Sequence, residues 1–122
     1  MGNRLSKIVT RTGDKGSTGL ADGSRIAKSA TRVHCLGEVD ELNAVIGLCA
    51  SVIEHEKIQK NLLAIQHDLF DLGGELCIPG CDSISAHHVE QISTQAQDMN
   101  QKLPALKEFI LPGGTPELAH LH

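Results

Sequence analysis

Between Val39 and Ile53, apolar residues return at every third or fourth position: Val39, Leu42, Val45, Ile46, Cys49, Val52 and Ile53. That period fits a helix with one buried stripe and does not fit a strand. The stripe follows Gly37, so a first long helix is expected from Gly37 onward. A second is expected from about Ile58 to Leu76, burying Leu62, Ile65, Leu69, Phe70, Leu72 and Leu76. Gly73-Gly74 near its end marks either close packing or an early stop, and Pro79-Gly80 closes the segment. A third is expected from about Ser85 to Leu103, where Val89, Ile92, Ala96, Met99 and Leu103 form a narrow bundle-like seam opposite a polar face. Residues 104–114 read as a loop ending in Leu-Pro-Gly-Gly. Thr115-Pro116-Glu117 then opens a fourth helix, with an N-cap hydroxyl, a proline at the first position and an early acid. So short a helix cannot sustain itself alone.

Composition agrees with helices. The 122 residues include no Trp, no Tyr and only Phe70 and Phe109. A core built from Leu, Ile, Val and Ala suits packed helices better than a sandwich of strands. The expected fold is therefore all-α: one domain over residues 1–122, an antiparallel helical bundle preceded by a glycine-rich arm. No internal repeat or low-complexity segment is visible.

Several function classes are set aside. A net charge of -4 argues against general nucleic-acid binding. No apolar run approaches the ~20 residues that span a bilayer, and the MGNRLSKIV start lacks the apolar stretch of a secretory signal. Met1-Gly2 with Ser6 fits a myristoylation pattern only loosely. A cytoplasmic location is expected, with no membrane partner. Four cysteines then read as reduced thiols, Cys35 and Cys49 being small core residues. Cys77 and Cys81 precede His87-His88, but that spacing is not the usual zinc pattern and no second pair matches it, so no metal site is assigned. His34, His55 and His67 read as surface or packing residues.

Residues 1–33 read as irregular or short-stranded, with Lys7 to Thr12 extended in character. Gly13, Gly16, Gly19 and Gly23 rule out a stable helix there. Thr10 to Leu20 joins glycines, hydroxyls and cations within eleven residues. That mixture suits a polyphosphate: glycines let N–H groups converge on an anion, hydroxyls add hydrogen bonds, and Arg or Lys neutralises charge. Arg11, Lys15, Arg25, Lys28 and Arg32 crowd the same region. The segment lacks the Gly-Lys-Ser/Thr ending of a P-loop, and its evenly spaced glycines are not a dinucleotide fingerprint. From the residues alone, it is either a phosphate site or simply a loop.

The run TRTGDKGSTGLADGSRIAKSATRV, followed by GEVDELNAVIG, resembles the N-terminal signature of the PduO-type ATP:cob(I)alamin adenosyltransferases. FDLGGEL and KEFILPGGT are similar to further family segments and stand in the same order, so the resemblance covers nearly the whole chain. It implies a five-helix, ferritin-like bundle assembled as a homotrimer with active sites between subunits. The chemistry implied is attack by Co(I) of cobalamin on the 5′ carbon of ATP, with triphosphate leaving. ATP, Mg2+ and cobalamin as substrate follow from it, and a cobalamin reductase is an expected partner.

Carried over by position, the resemblance assigns Thr10, Arg11, Thr12 and Gly13 to the nucleotide and its phosphates. Thr18 and Gly19 add hydroxyl and backbone contacts, and Lys28 pairs with a phosphate. Asp40 matches an aspartate that pairs with an arginine beside the corrin; by position alone it reads as a first-turn acid of the first helix. Glu38 and Glu41 read likewise, and Asn43 is placed to orient a neighbouring group. Phe109 matches a phenylalanine that presses on the lower corrin face and displaces the axial base, which eases reduction of Co(II) to Co(I); by default it would be a core residue.

The resemblance also implies that members continue past His122 by roughly half the present length. That part would bring an arginine-rich helix, the partner of Asp40, further phosphate arginines and a glutamate near the nucleotide. A fragment without those helices is expected to be poorly stable and nearly inactive, because each uncovered Leu, Ile or Val forfeits about 1.5–3 kcal/mol. Two rival functions stand beside the enzyme: an ATP-binding regulatory module of the same fold, and a structural oligomerisation domain whose arm is only a connector.

Overall fold

The computed structural model describes residues 8–111 and 113–121; the Met1-Gly2 start with Ser6, Lys7, and Pro112 of the Leu-Pro-Gly-Gly stretch lie outside them. Two short strands come first, β1 (Ser17–Gly19) and β2 (Arg25–Ala27), followed by α1 (Thr31–Val52), α2 (Glu56–Cys77), α3 (Ala86–Asn100) and α4 (Pro116–Leu121). The strands pair antiparallel, with Ser17 opposite Ala27, Thr18 opposite Ile26 and Gly19 opposite Arg25. Gly23, at φ 85°, makes their connection possible. There the Asp22 carboxylate accepts from the Ser24 N–H at 2.9 Å and the Ser24 hydroxyl at 2.6 Å. These bonds favour the charged carboxylate and hold it below its ordinary range. Of the stretch read as extended in character, Ile8 to Arg11 carry no strand pairing, a turn begins at Thr12 and pairing starts at Ser17.

Helix α1 begins at Thr31, six residues before Gly37. Val33 and Leu36 are half-buried and carry the stripe back toward the N-terminus. Gly37 lies in open space inside the helix, a penalty of about 1 kcal/mol that packing elsewhere offsets. The early start corrects three readings: Glu38, Asp40 and Glu41 are not first-turn acids, and α1 has none. Helix α2 starts two residues before Ile58 and runs straight through Gly73-Gly74 to Cys77. A Cβ on either glycine would meet nothing within 4 Å, so neither marks a close contact among the described residues.

Only Ile53–His55 separate α1 from α2, which imposes an antiparallel helical hairpin. Its seam combines apolar and amide contacts. Ile46, Cys49 and Ala50 are the buried core. The Gln66 side chain donates to the Asn43 carbonyl at 3.0 Å while the Asn43 amide donates to the Gln66 carbonyl at 3.2 Å. Gln59 adds a bond to the Ala50 carbonyl at 2.9 Å. Asn43 is thus an interhelical tie. Helix α4 leans on α1, where the Cys49 thiol donates to the Glu117 carbonyl at 3.6 Å. The Thr115 hydroxyl accepts from the Leu118 N–H at 3.5 Å, as expected of an N-cap.

Some faces predicted to be buried are open. Phe70 is 76% exposed, and Cys35 is exposed while Cys49 is fully buried. Helix α3 ends three residues before Leu103, and Val89, Ile92, Met99 and Leu103 of its seam all face outward. The chain exposes 9999 Å². A compact monomer of 13.0 kDa would expose about 6,300 Å². Leu42, Val52, Phe70, Val89, Leu106 and Phe109 are among the large apolar side chains exposed in that area.

Candidate nucleotide arm and corrin-facing loop

The arm is built from the turn that precedes β1. Arg11 takes a left-handed φ of 57°, a conformation that costs a non-glycine residue about 1 kcal/mol or more. Gly16 at φ 82° completes the reversal, and its N–H donates to the Gly13 carbonyl at 3.1 Å. The Thr10 and Thr12 hydroxyls lie 3.0 Å apart. Lys28 folds back from the end of β2: its N–H donates to the Gly16 carbonyl at 2.9 Å, and its ammonium lies against Gly13. A Cβ at Gly13 would sit 3.0 Å from both Lys28 Cε and Nζ, so glycine is what admits the lysine. Thr10, Thr12, Gly13 and Lys28 therefore share one turn, with Arg11 at its strained corner and Thr18 and Gly19 on the adjoining strand. Among the described residues, Arg11, Lys15 and Lys28 form no ion pair, and the one salt bridge joins Lys60 to Glu56 on α2. Such a turn, carrying unpaired cations, hydroxyls and glycine backbone, can take up a polyanion.

One main-chain bond from the arm and one side-chain bond from the first turn of α1 converge on the end of α2. The Ala21 N–H donates to the Cys77 carbonyl at 3.0 Å, and the Arg32 guanidinium donates to the Leu76 carbonyl at 2.8 Å. Both acceptors belong to the last turn of α2, whose carbonyls have no partner within the helix. Sequence reasoning counted Arg25 and Arg32 only among the crowding cations; both hold structure. Arg25 sits opposite Gly19 and bonds Thr12 and Ser17.

Asp40 lies in the middle of α1, exposed, with no hydrogen-bond or ion-pair partner among the described residues. Phe109 is fully exposed and joins Leu106, Ile110, Leu111 and Leu118 around an open concavity of about 680 Å³. It therefore does not belong to the chain's own core. The structure does not bring this loop to the arm. The arm is tied beside Arg32, whereas α4, which shares the Phe109 concavity, is tied at Cys49. Those seventeen residues of α1 span about 25 Å at 1.5 Å per residue.

Cys77 and Cys81 are free thiols at the two ends of the Pro79-Gly80 turn. Among the described residues, no group of three His, Cys, Asp or Glu side chains is arranged to hold a metal ion. Nor is any helix among them long and apolar enough to cross a membrane.

Comparison with known proteins identifies the family and the fold. The family model described as cobalamin adenosyltransferase matches residues 8–122. A cobalamin adenosyltransferase of Cupriavidus metallidurans is 54% identical over all of this chain and 67% of its own length. A corrinoid adenosyltransferase of Mycobacterium leprae is 39% identical over all of this chain and 70% of its own. Among solved structures, a variant PduO-type ATP:corrinoid adenosyltransferase from Lactobacillus reuteri, complexed with cobalamin and ATP, superposes with a TM-score of 0.84 at 34% identity. That match covers 93% of this chain and 67% of the other. The chain thus spans about two thirds of the length of these relatives. Its helical-bundle fold is that of the PduO-type enzymes, and with a family model matched along nearly its whole length, the chain belongs to the cobalamin adenosyltransferase family.

Proposed function

We propose that the protein transfers the 5′-deoxyadenosyl group of ATP to the Co(I) of cobalamin, giving adenosylcobalamin and free triphosphate. The electron pair of Co(I) forms the new cobalt–carbon bond at C5′, and the C5′–O bond breaks toward the triphosphate. The leaving group carries all the developing negative charge, so a site for this reaction must neutralise a polyphosphate. The observation that carries the reading is the arm: the Lys28 ammonium seated on Gly13, beside the Thr10 and Thr12 hydroxyls and the unpaired Arg11. In this reading Thr10, Arg11, Thr12 and Gly13 wrap the phosphates, Thr18 and Gly19 extend the contact, and Lys28 holds a phosphate oxygen. Mg2+ would arrive on the nucleotide; the arm's cations and hydroxyls suit a metal held by phosphates rather than by a protein carboxylate cluster.

Asp40 and Phe109 take the corrin side. The exposed ring of Phe109 in an apolar concavity suits contact with the lower corrin face. Asp40 lacks a partner within the described residues, in keeping with an arginine supplied from elsewhere in the assembly. We further propose a homotrimer in which the arm of one subunit meets the corrin surface of the next. The separation of arm and Phe109 along α1 supports this, as does the large exposed apolar surface. A cytoplasmic location and a reductase that delivers Co(I) fit the same scheme.

The test is an adenosyltransferase assay on the full-length protein with chemically reduced cobalamin and Mg·ATP, following loss of the Co(I) absorbance. Activity in the wild type that falls by about tenfold or more in Lys28→Ala or Thr18→Ala supports the reading. A folded protein that binds ATP yet leaves the Co(I) signal unchanged would make the chain a regulatory module instead.

A further inference from the structure

The Arg25 side chain makes four hydrogen bonds, all to the ends of one turn. Its Nη2 donates to the Thr12 carbonyl at 2.8 Å, the Ser17 carbonyl at 3.0 Å and the Ser17 hydroxyl at 2.9 Å, and its Nε donates to the same hydroxyl at 3.2 Å. Thr12 and Ser17 bracket the segment Gly13–Gly16, so the guanidinium closes that segment into a loop. We propose that Arg25 is the positioning residue of the phosphate arm, setting the Thr12–Gly13 peptide and the turn against which Lys28 lies rather than contacting phosphate itself. This rests on the nucleotide reading of the arm.

Three observations carry it. First, C=O and N–H point in opposite directions across a trans peptide plane. With the Thr12 carbonyl turned onto Arg25, the Gly13 N–H must point away from the guanidinium, and it donates to no backbone acceptor among the described residues. A free N–H beside the Lys28 ammonium is the donor pair that a phosphate oxygen needs. Second, among the described residues no other side chain hydrogen-bonds both ends of the Gly13–Gly16 segment, and the two-stranded ribbon contributes only three paired residues on each side. A segment with Arg11 in a left-handed conformation and Gly16 beyond it would otherwise sample many states. Third, the fork geometry is specific to arginine. A lysine ammonium at position 25 keeps the charge but is a single point donor and cannot span two carbonyls and a hydroxyl together.

The experiment compares Arg25→Lys and Arg25→Gln with wild type in the full-length protein, measuring KM for ATP, KM for cobalamin and the melting temperature. Both variants are expected to raise KM for ATP by about tenfold, with KM for cobalamin within about twofold of wild type. The melting temperature should stay unchanged, because Arg25 touches only the arm. Ser17→Ala, which removes the hydroxyl but not the carbonyls, should raise KM for ATP less, and adding it to Arg25→Gln should add nothing further. An Arg25→Lys protein with wild-type KM for ATP would overturn the inference, since charge alone would then suffice. Parallel loss of both KM values and of thermal stability would overturn it as well. A wild-type protein that does not bind ATP would remove the nucleotide reading, and this inference with it.

Discussion

A methyl group on Gly13 would probe the arm at its tightest point. The new Cβ would lie 3.0 Å from Lys28 Cε and Nζ and 3.1 Å from the Ser17 carbonyl oxygen. Gly13 is not among the positive-φ glycines, so alanine meets no torsional penalty and the cost is one of contact. Comfortable separations between non-bonded heavy atoms are about 3.5–4.0 Å, so a neighbour must give by a few tenths of an ångström. The Ser17 carbonyl is held by Arg25, whereas the end of Lys28 is a flexible stem with no ion-pair partner, so the lysine is what moves. A charge-assisted hydrogen bond contributes about 1.5–3 kcal/mol. Losing roughly half of that for the Lys28–phosphate contact corresponds to ATP binding about three- to tenfold weaker. Calorimetric titration of the full-length Gly13→Ala protein with Mg·ATP measures this directly. In a Lys28→Ala background the same substitution should change affinity by less than about 0.5 kcal/mol, because the displaced group is gone. Wild-type ATP affinity in Gly13→Ala, or an undiminished loss in the double variant, would refute the placement of Lys28 over Gly13.

Phe109→Ala should leave the melting temperature unchanged, because the ring buries nothing within the chain, while slowing adenosylation in the Co(I) absorbance assay. Gly47→Ala in α1 should fail to give the usual stabilisation of about 1 kcal/mol for removing a helical glycine. Its Cβ would come 2.7 Å from Gln66 Nε2 and disrupt the bond to the Asn43 carbonyl, which is of similar worth, so thermal denaturation should show little or no gain. The Glu75 carboxylate accepts from the Ser83 and Ile84 N–H groups at 3.0 and 2.9 Å, which lowers its pKa from the ordinary 4.5. A depressed carboxylate contributes stability that is present above its unfolded pKa and is lost as pH falls through the folded value. Hydrogen-exchange protection factors at Ser83 and Ile84, taken relative to the intrinsic rate at each pH, should therefore fall below about pH 4.5 in the wild type, and Glu75→Gln should flatten that dependence.

The long helices were legible because periodicity reports the buried face of a long element, which α1 and α2 follow over most of their length although Leu42 and Val52 are exposed, whereas α4 was legible from its N-cap threonine, first-position proline and early acid. What escaped is instructive. The start of α1 was visible in Val33 and Leu36, but Gly37 drew the boundary because one glycine outweighs two apolar residues in a short window. Phe70 and the α3 seam fit the period and are nevertheless exposed, since periodicity names an apolar face without saying what lies across from it. The cations of the arm were visible as a cluster, yet the division of labour between Lys28 and Arg25 was not. That division depends on the register of Gly19 against Arg25, and strands of three residues leave no pattern from which to read a register. The roles proposed for Asp40 and Phe109 depend on the path of other segments, so they rest on the sequence resemblance and were not legible from the two positions themselves.

The arm is fastened to α2 through the carbonyl of Cys77, and the start of α1 through the carbonyl of Leu76, groups that every amino acid supplies. Side-chain identity at these two positions is therefore nearly irrelevant to the anchor, and drift there among helix-compatible residues should be tolerated. Register is another matter. Successive residues in a helix are turned by about 100°, so inserting or deleting one residue late in α2 would swing both acceptors away from Ala21 and Arg32. The end of this helix is thus permissive to substitution and intolerant of changes in length.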